Sequence, residues 1–289
     1  MKGEGTKMRL ERRDGNPLVK TLIYIVCIFL AVLSLFPFVI MIVNSTRSTF
    51  EIQQHAVSLI PSKFLMSNWA QFTGKSFNPV TGFVNSVIVA VGATVCTVYF
   101  STLTAYALVA YRWKLRNAFF TFILCVMMIP ATVTTIGFYQ FMYRIGMTNN
   151  FLALILPAIY APSAVFFMRQ FMLATFPLEL LDSARIDGAK EFYTVNRIAL
   201  PIMKPAMATQ GIFSFVGTWN SLFIPSVILT DVNKFTMPLM VSLLKGDIYK
   251  REFGAIYLGL TLTVLPLFVV YFALSKYIIA GVALGGVKG

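Results

Sequence analysis

Apolar runs of about twenty residues recur along the chain, separated by short polar stretches. Each run is long enough to cross the ~30 Å hydrocarbon core of a bilayer as a helix. The pattern predicts an all-α integral membrane protein with six transmembrane helices, at about 20–43, 83–109, 118–143, 151–172, 205–230 and 254–280. The first run is too long for the core of a secretory signal and lacks a clean small-residue cleavage site, so it reads as a retained helix. Two polar segments separate spans on one side, Asn44 to Gly82 and Asp231 to Phe253. Ile60-Pro61, Asn68-Trp69 and Asn78-Pro79 punctuate the first with turns and short surface helices.

The fourth and fifth spans are joined by a different kind of segment, DSARIDGAKEFYTVNRIALPIMKP over 182–205. Thr175 as cap and Pro177 in the first turn open a short helix. Leu178, Leu181 and Ile186 offer it an apolar side, and Glu179, Asp182 and Arg185 a polar one. Gly188 suits the left-handed stop that ends many helices. A second amphipathic helix follows, with Phe192, Val195 and Ile198/Ala199 at helical spacing. Pro201 ends it and Pro205 opens the next span. Ala184, Gly188 and Ala189 are small enough for another protein to approach closely. Asp187 can pair with a partner's cation or cap local backbone.

Composition agrees with a membrane protein. The chain is 57% hydrophobic and 12% charged, with mean hydropathy +0.76; a soluble chain carries about 25% charged residues. A net charge of +13 reads as flanking charge that orients helices rather than as a nucleic-acid surface. With the N-terminus inside, 16 of the 24 Lys and Arg fall on the cytoplasmic side, including Arg112, Lys114, Arg185 and Arg197, and 8 outside. Both termini are therefore expected in the cytoplasm, with a basic tail at 1–19 and one membrane domain over 20–289. Cys27, Cys96 and Cys125 all lie in apolar runs and read as small buried residues.

The chain lacks the residues of several chemistries. All 11 Asp and Glu lie in tails, loops or at span edges, and the single histidine, His55, lies in an outer loop. Ion-coupled carriers usually keep such a group at membrane depth. Gly74-Lys75-Ser76 looks like the end of a phosphate-binding loop, but position 69, where the motif needs Gly, is Trp. No nucleophile–base set, paired carboxylates at a cleft or metal-spaced cluster is evident. The chain reads as a non-enzyme with no metal site.

The segment at 182–205 resembles the cytoplasmic coupling loop of permease subunits of binding-protein-dependent ATP-binding-cassette (ABC) importers, which reads Glu-Ala-Ala, two residues, Asp-Gly-Ala, a gap, then Phe, Ile and Leu-Pro. On that resemblance Asp182 stands at the family's Glu, Ser183 and Ala184 at its two Ala, and Asp187, Gly188 and Ala189 at its Asp-Gly-Ala. The tail GVALGGVKG, residues 281–289, is similar to the Gly-Leu-Thr-Ala-Gly-Ala-Val-Lys-Gly ending of carbohydrate-importer permeases, the smaller permease of the maltose-type transporter above all. The match is firm over Gly285, Gly286, Val287, Lys288 and Gly289 and looser before them.

The resemblance implies a type I importer permease fold, with a coupling helix between spans four and five inside a loop at 176–204. It implies a second homologous permease, two ABC ATPases and an extracytoplasmic solute-binding protein as partners, in a bacterial or archaeal plasma membrane. Mg-ATP then belongs to the ATPases, and this chain binds no cofactor. The 182–189 segment and the tail contact the ATPases, and the cargo is a sugar or oligosaccharide passed by alternating access. Asn85, Thr134, Tyr139, Trp219 and Asn220 are candidate pathway residues, since amides and flat rings suit sugars. The competing readings are a stand-alone carrier or channel, and an ABC importer of a non-sugar or acidic-saccharide cargo.

Overall fold

The computed structural model describes residues 17–74, 78–244 and 251–286. Residues 1–16 of the expected basic tail lie outside the described residues, as do Lys75, Ser76, Val287, Lys288 and Gly289. Every regular element is helical, and no strand occurs among the described residues.

α1 (Pro17–Ser45) is apolar on all sides and exposed along most of its length, which suits a helix whose surroundings are lipid. It packs against the last helix of the chain, with Phe38 edge-on to Phe268 at 5.3 Å. α2 (Thr49–Gln54) and α3 (Leu65–Thr73) make the outer segment. A capping box starts α2: the Ser48 side chain accepts from the Glu51 N–H, and Glu51 accepts from the Ser48 N–H. Buried Arg47 staples this segment, donating to Asn44 Oδ1 at 3.0 Å and to the carbonyls of His55 and Glu51 at 2.7 and 3.0 Å. Asn68 donates to the carbonyls of Ser45 and Arg47.

α4 (Pro79–Ala110) is the hub. Asn78 caps it by accepting from the Val80 N–H, and Pro79 sits in its first turn. Its buried face is rich in small residues, Ser86, Ala90, Ala93, Ser101 and Ala105, which let neighbouring backbones approach closely. Those neighbours are α8 (Pro162–Thr175) and α11 (Leu200–Trp219). Between α4 and α8 come α5 (Arg116–Met127), α6 (Ala131–Arg144) and α7 (Leu152–Ile155), the last prolonged by a 3-10 turn at Leu156–Ile159. α9 (Glu179–Ile186) and α10 (Glu191–Thr194) precede α11; α12 (Phe223–Ile228), α13 (Met237–Leu244) and α14 (Phe253–Gly286) complete the chain.

Four stretches are long and apolar enough to cross a membrane: Pro17–Ser45, Pro79–Ala110, Leu152–Thr175 and Phe253–Ala273. The other two expected spans are each divided. The 118–143 stretch breaks at 128–130, where Pro130 precedes α6 and lacks the N–H that would continue α5. The 205–230 stretch breaks at 220–222, after Trp219.

Two expectations about prolines change. Pro201 does not end a helix, and Pro205 does not open one; both lie inside α11. The turn before it, Val195–Ala199, is wound as a π-helix, with the Leu200 N–H reaching back five residues to the Val195 carbonyl. Such a turn re-phases the bonding ahead of a residue with no N–H. Trp219 is fully buried, donates to the Thr263 carbonyl at 2.9 Å, and packs on Phe215 and Phe83. Of the three cysteines, Cys96 is half-buried, whereas Cys27 and Cys125 are exposed on apolar helices rather than buried.

Gly254 marks the tightest approach between α14 and the outer segment: a Cβ there would run into the Asn68 amide and the Arg47 carbonyl. Gly254→Ala should therefore lower the thermal midpoint of the detergent-solubilised protein, by the order of the 1–3 kcal/mol that overpacking costs. An unchanged midpoint would show that α3 and α14 can move apart freely.

Candidate functional site

The polar segment after α8 folds as a seated helix. Thr175 is the last residue of α8 and bonds back to the Phe171 carbonyl, so it does not cap α9 as expected. α9 begins at Glu179 after Leu178, without a side-chain cap, and the Pro177 carbonyl accepts from the Leu180 N–H. Its end is a Schellman motif: the Ala189 N–H reaches the Ala184 carbonyl at 2.9 Å, and the Gly188 N–H reaches Arg185 at 3.1 Å. Gly188 has φ +75°, a conformation that side chains with a Cβ rarely adopt. The Asp187 N–H bonds the Ser183 carbonyl, and the Ser183 hydroxyl bonds the Glu179 carbonyl.

Leu181 and Ala184 are the buried face of α9. Leu181 joins Tyr106 and Val109 of α4, Met168 and Met172 of α8, Phe176, Ala199 and Met203 in one apolar cluster, and Ala184 is buried beside it on the same helix. Ile186, expected on that side, is 87% exposed. Five residues from Leu181, it is turned roughly 140° away around a 3.6-residue helix. Phe192 likewise points outward, 77% exposed, where the sequence placed it on an apolar helix face; Val195 and Ile198 are half-buried. The segment thus offers an apolar outer surface of Ile186, Phe192 and Tyr193 beside Gly188.

A polar clamp fixes the segment to the end of α4. Glu191 accepts from Arg185 Nε at 3.1 Å through one oxygen and from the Tyr106 hydroxyl at 3.1 Å through the other. Arg185 also faces Asp182 at 3.6 Å and lies 5.4 Å from the centre of the Tyr111 ring. Burial alone would push the Glu191 carboxyl up, but hydrogen bonds from Tyr111, Arg185 and Tyr106 outweigh it and hold the carboxyl below its ordinary 4.5. The Glu191 hydrogen bond raises the Arg185 guanidinium in turn, and burial, then Glu191, raises the Tyr111 hydroxyl.

The other candidate residues are scattered. Asn85 donates to the Asn233 and Phe235 carbonyls and so ties the outer turn to α4. Tyr139 is partly exposed, its ring 6.4 Å from that of Tyr143. Trp219 borders an apolar cavity of about 620 Å³, and Asn220 caps the end of α11. Thr134 borders a second cavity, of about 500 Å³, with Thr135, Tyr160, Thr218 and Ser221. The sequence reading missed the last four; hydroxyls at i and i+3 across a helix break were the available signal. Gly285 and Gly286 form the last residues of α14.

Comparison with known proteins gives a consistent picture. Residues 97–283 match the family of binding-protein-dependent transport system inner membrane components. The chain is 34% identical over 280 residues to the arabinooligosaccharides transport system permease protein AraQ of Halalkalibacterium halodurans, covering 96% of this chain and 100% of that one. It is 33% identical to the lactose transport system permease protein LacG of Rhizobium radiobacter, over 92% and 95% of the two chains. It is 30% identical to the sn-glycerol-3-phosphate transport system permease protein UgpE of Pectobacterium atrosepticum, over 94% and 98%. A chain in the crystal structure of a bacterial ABC transporter involved in the import of the acidic polysaccharide alginate shares the fold, with TM-score 0.77 at 20% identity, over 90% of this chain and 96% of that one.

The clamp has a definite pH sense. A carboxyl held below its ordinary value stabilises the folded site fully above that value, and the contribution is lost as pH falls below it. At pH 7, Glu191→Gln should speed amide exchange over 179–194 about fivefold to tenfold, the scale of one hydrogen bond whose charge is screened by partial exposure. The native chain should match it only below about pH 4.5, after correction for intrinsic exchange. Equal exchange in both proteins at pH 7 would discard the clamp.

Proposed function

This chain belongs to the family of binding-protein-dependent transport system inner membrane components, and we propose on that ground how it works. It is a multi-pass membrane permease subunit of an ATP-driven ABC importer. Its cargo is a sugar or oligosaccharide, a reading supported by the relatives named for arabinooligosaccharides and lactose. In this reading an extracytoplasmic binding protein delivers the cargo, a second permease completes the pathway, and two ATPases hold Mg-ATP and drive alternating access. ATP hydrolysis resides in those partners and not in this chain.

The divided helices fit six spans, with α5–α6 and α11–α12 each forming one bent crossing, both termini in the cytoplasm and the loop 176–204 between spans four and five. Non-helical backbone at membrane depth is tolerated where protein buries it or a cavity receives it. The observation that carries the coupling role is the way α9 is mounted. Its inner face is fixed by Leu181 and the Glu191 clamp, and its outer face leaves Ile186 exposed. Asp182, Ser183, Ala184, Asp187, Gly188 and Ala189 then form the ATPase-docking segment, and the tail from Gly285 to Gly289 reaches the same partners.

Gly188 supplies the test. Nothing lies within 4 Å of a Cβ built there, so a large side chain would project into the space a docked partner needs. The left-handed conformation costs a non-glycine residue about 1–2 kcal/mol, and Gly188→Asn controls for that because Asn tolerates it best. Gly188→Trp should reach the membrane at normal abundance, lose the co-purifying ATPase and lose ATP-dependent uptake, while Gly188→Asn keeps both. Normal uptake by the Trp variant would remove the coupling role.

A further inference from the structure

The relatives' names leave the charge of the cargo open, because they include uncharged sugars and a phosphate ester, and the structural neighbour's system imports an acidic polysaccharide. The second cavity bears on that question. It forms where the two divided helices meet. Thr134 and Thr135 lie in the first turns of α6, just after the break at 128–130, and Thr218 and Ser221 flank the break at 220–222. Tyr160, 60% exposed, closes the 3-10 turn that follows α7, and Phe138 adds a second ring. Val89, on the wall contributed by α4, is ten residues from the start of that helix. At 1.5 Å per residue that is about 15 Å, half the thickness of a bilayer core.

We infer that this cavity is a cargo-contact site, and that it takes an uncharged polyhydroxyl compound, so the subunit itself touches the sugar. The inference rests on the importer reading above. Its volume lies within the ~300–1,000 Å³ range of small-molecule sites. Ser and Thr hydroxyls both donate and accept, so they match a sugar hydroxyl in either sense, and the Tyr160 and Phe138 rings offer flat apolar surface for the C–H faces of a pyranose or furanose. Among the described residues, none bordering the cavity carries a formal charge. The cations along the same elements stand outside its lining: Arg144 is six residues beyond Phe138 on α6, about 9 Å along the helix, and Arg169 nine beyond Tyr160. A phosphate or uronate there would lose its hydration without gaining a counter-charge from this chain.

The decisive experiment uses the complete importer, with its partner permease, ATPases and binding protein, in ATP-loaded proteoliposomes. The probes are radiolabelled arabinotriose, lactose, sn-glycerol 3-phosphate and a guluronate trimer. Uptake of at least one of the first two and neither of the last two is expected. For the sugar taken up, Thr218→Val and Ser221→Ala should each raise KM about fivefold to tenfold, the scale of one hydrogen bond, with kcat retained. Thr218→Ser, which restores the hydroxyl, should keep KM near the native value and so exclude a folding defect. Uptake of either anion, or of none of the four, overturns the uncharged-cargo inference. An unchanged KM in both hydroxyl variants overturns the contact while leaving the importer intact. Sugar uptake that needs no ATP would instead remove the importer reading beneath it.

Discussion

Inside hydrocarbon, every backbone N–H and C=O must find a partner within the protein, and this constraint organises the rest of the structure. It makes every crossing helical and makes each interruption costly unless something receives the freed groups. The described residues show three interruptions within expected spans, at 128–130, 160–161 and 220–222. Residues at or near each of them border the same cavity: Thr134 and Thr135 after the first, Tyr160 at the second, Thr218 and Ser221 around the third. Where the turn at 195–199 could also have broken, a π-turn keeps the bonding continuous into α11 despite Pro201 and Pro205. The chain therefore stays regular through the polar segment's exit and becomes irregular around a mainly apolar cavity edged by a few hydroxyls.

The end that carries α9 is built on a different balance. α9 is eight residues long, too short to hold itself as an isolated helix in water. Tertiary fixing supplies the order: Leu181 enters a cluster shared by α4, α8 and α11, and Glu191 joins Arg185 and Tyr106 across the same junction. The helix cannot tilt without disturbing the ends of three long helices. A load applied to its outer face is thus passed to the bundle rather than absorbed by a flexible loop.

Much of this was legible in the sequence, for reasons particular to each residue. Gly188 announced the end of α9 because few other residues take a positive φ, and the structure has it at +75°. The apolar runs marked where the crossings lie because hydrophobic length is a property of composition alone. The breaks inside them were not read, since a proline such as Pro130 is common in membrane helices and only tertiary packing decides whether it bends or divides one. Ile186 was misplaced because an apolar residue near a helix end was assigned to the buried side, although its five-residue offset from Leu181 turns it outward. Asn85 was read as a pathway amide, yet its N–H groups close an outer turn, a partnership 148 residues away in sequence. Glu191 and Tyr106, 85 residues apart, likewise give no local sign of their contact.

α11 joins the two regions. It starts at Leu200, one residue after the cluster member Ala199, and ends at Trp219, next to Thr218 and the break. Twenty residues at 1.5 Å give about 30 Å of continuous helix, so a single rigid element runs from the seat of α9 to the cavity wall. Its cavity end is anchored by the Trp219 N–H on the Thr263 carbonyl of α14 and by the Phe83 ring of α4. In the importer reading proposed above, a displacement of its α9 end would reach the other end as a rotation about that anchor. Thr218 and Ser221, beside the anchor, are the cavity hydroxyls that such a rotation would turn most directly. The breaks at 128–130 and 220–222 let this happen without unwinding any helix, because the change in direction falls where the backbone is already interrupted.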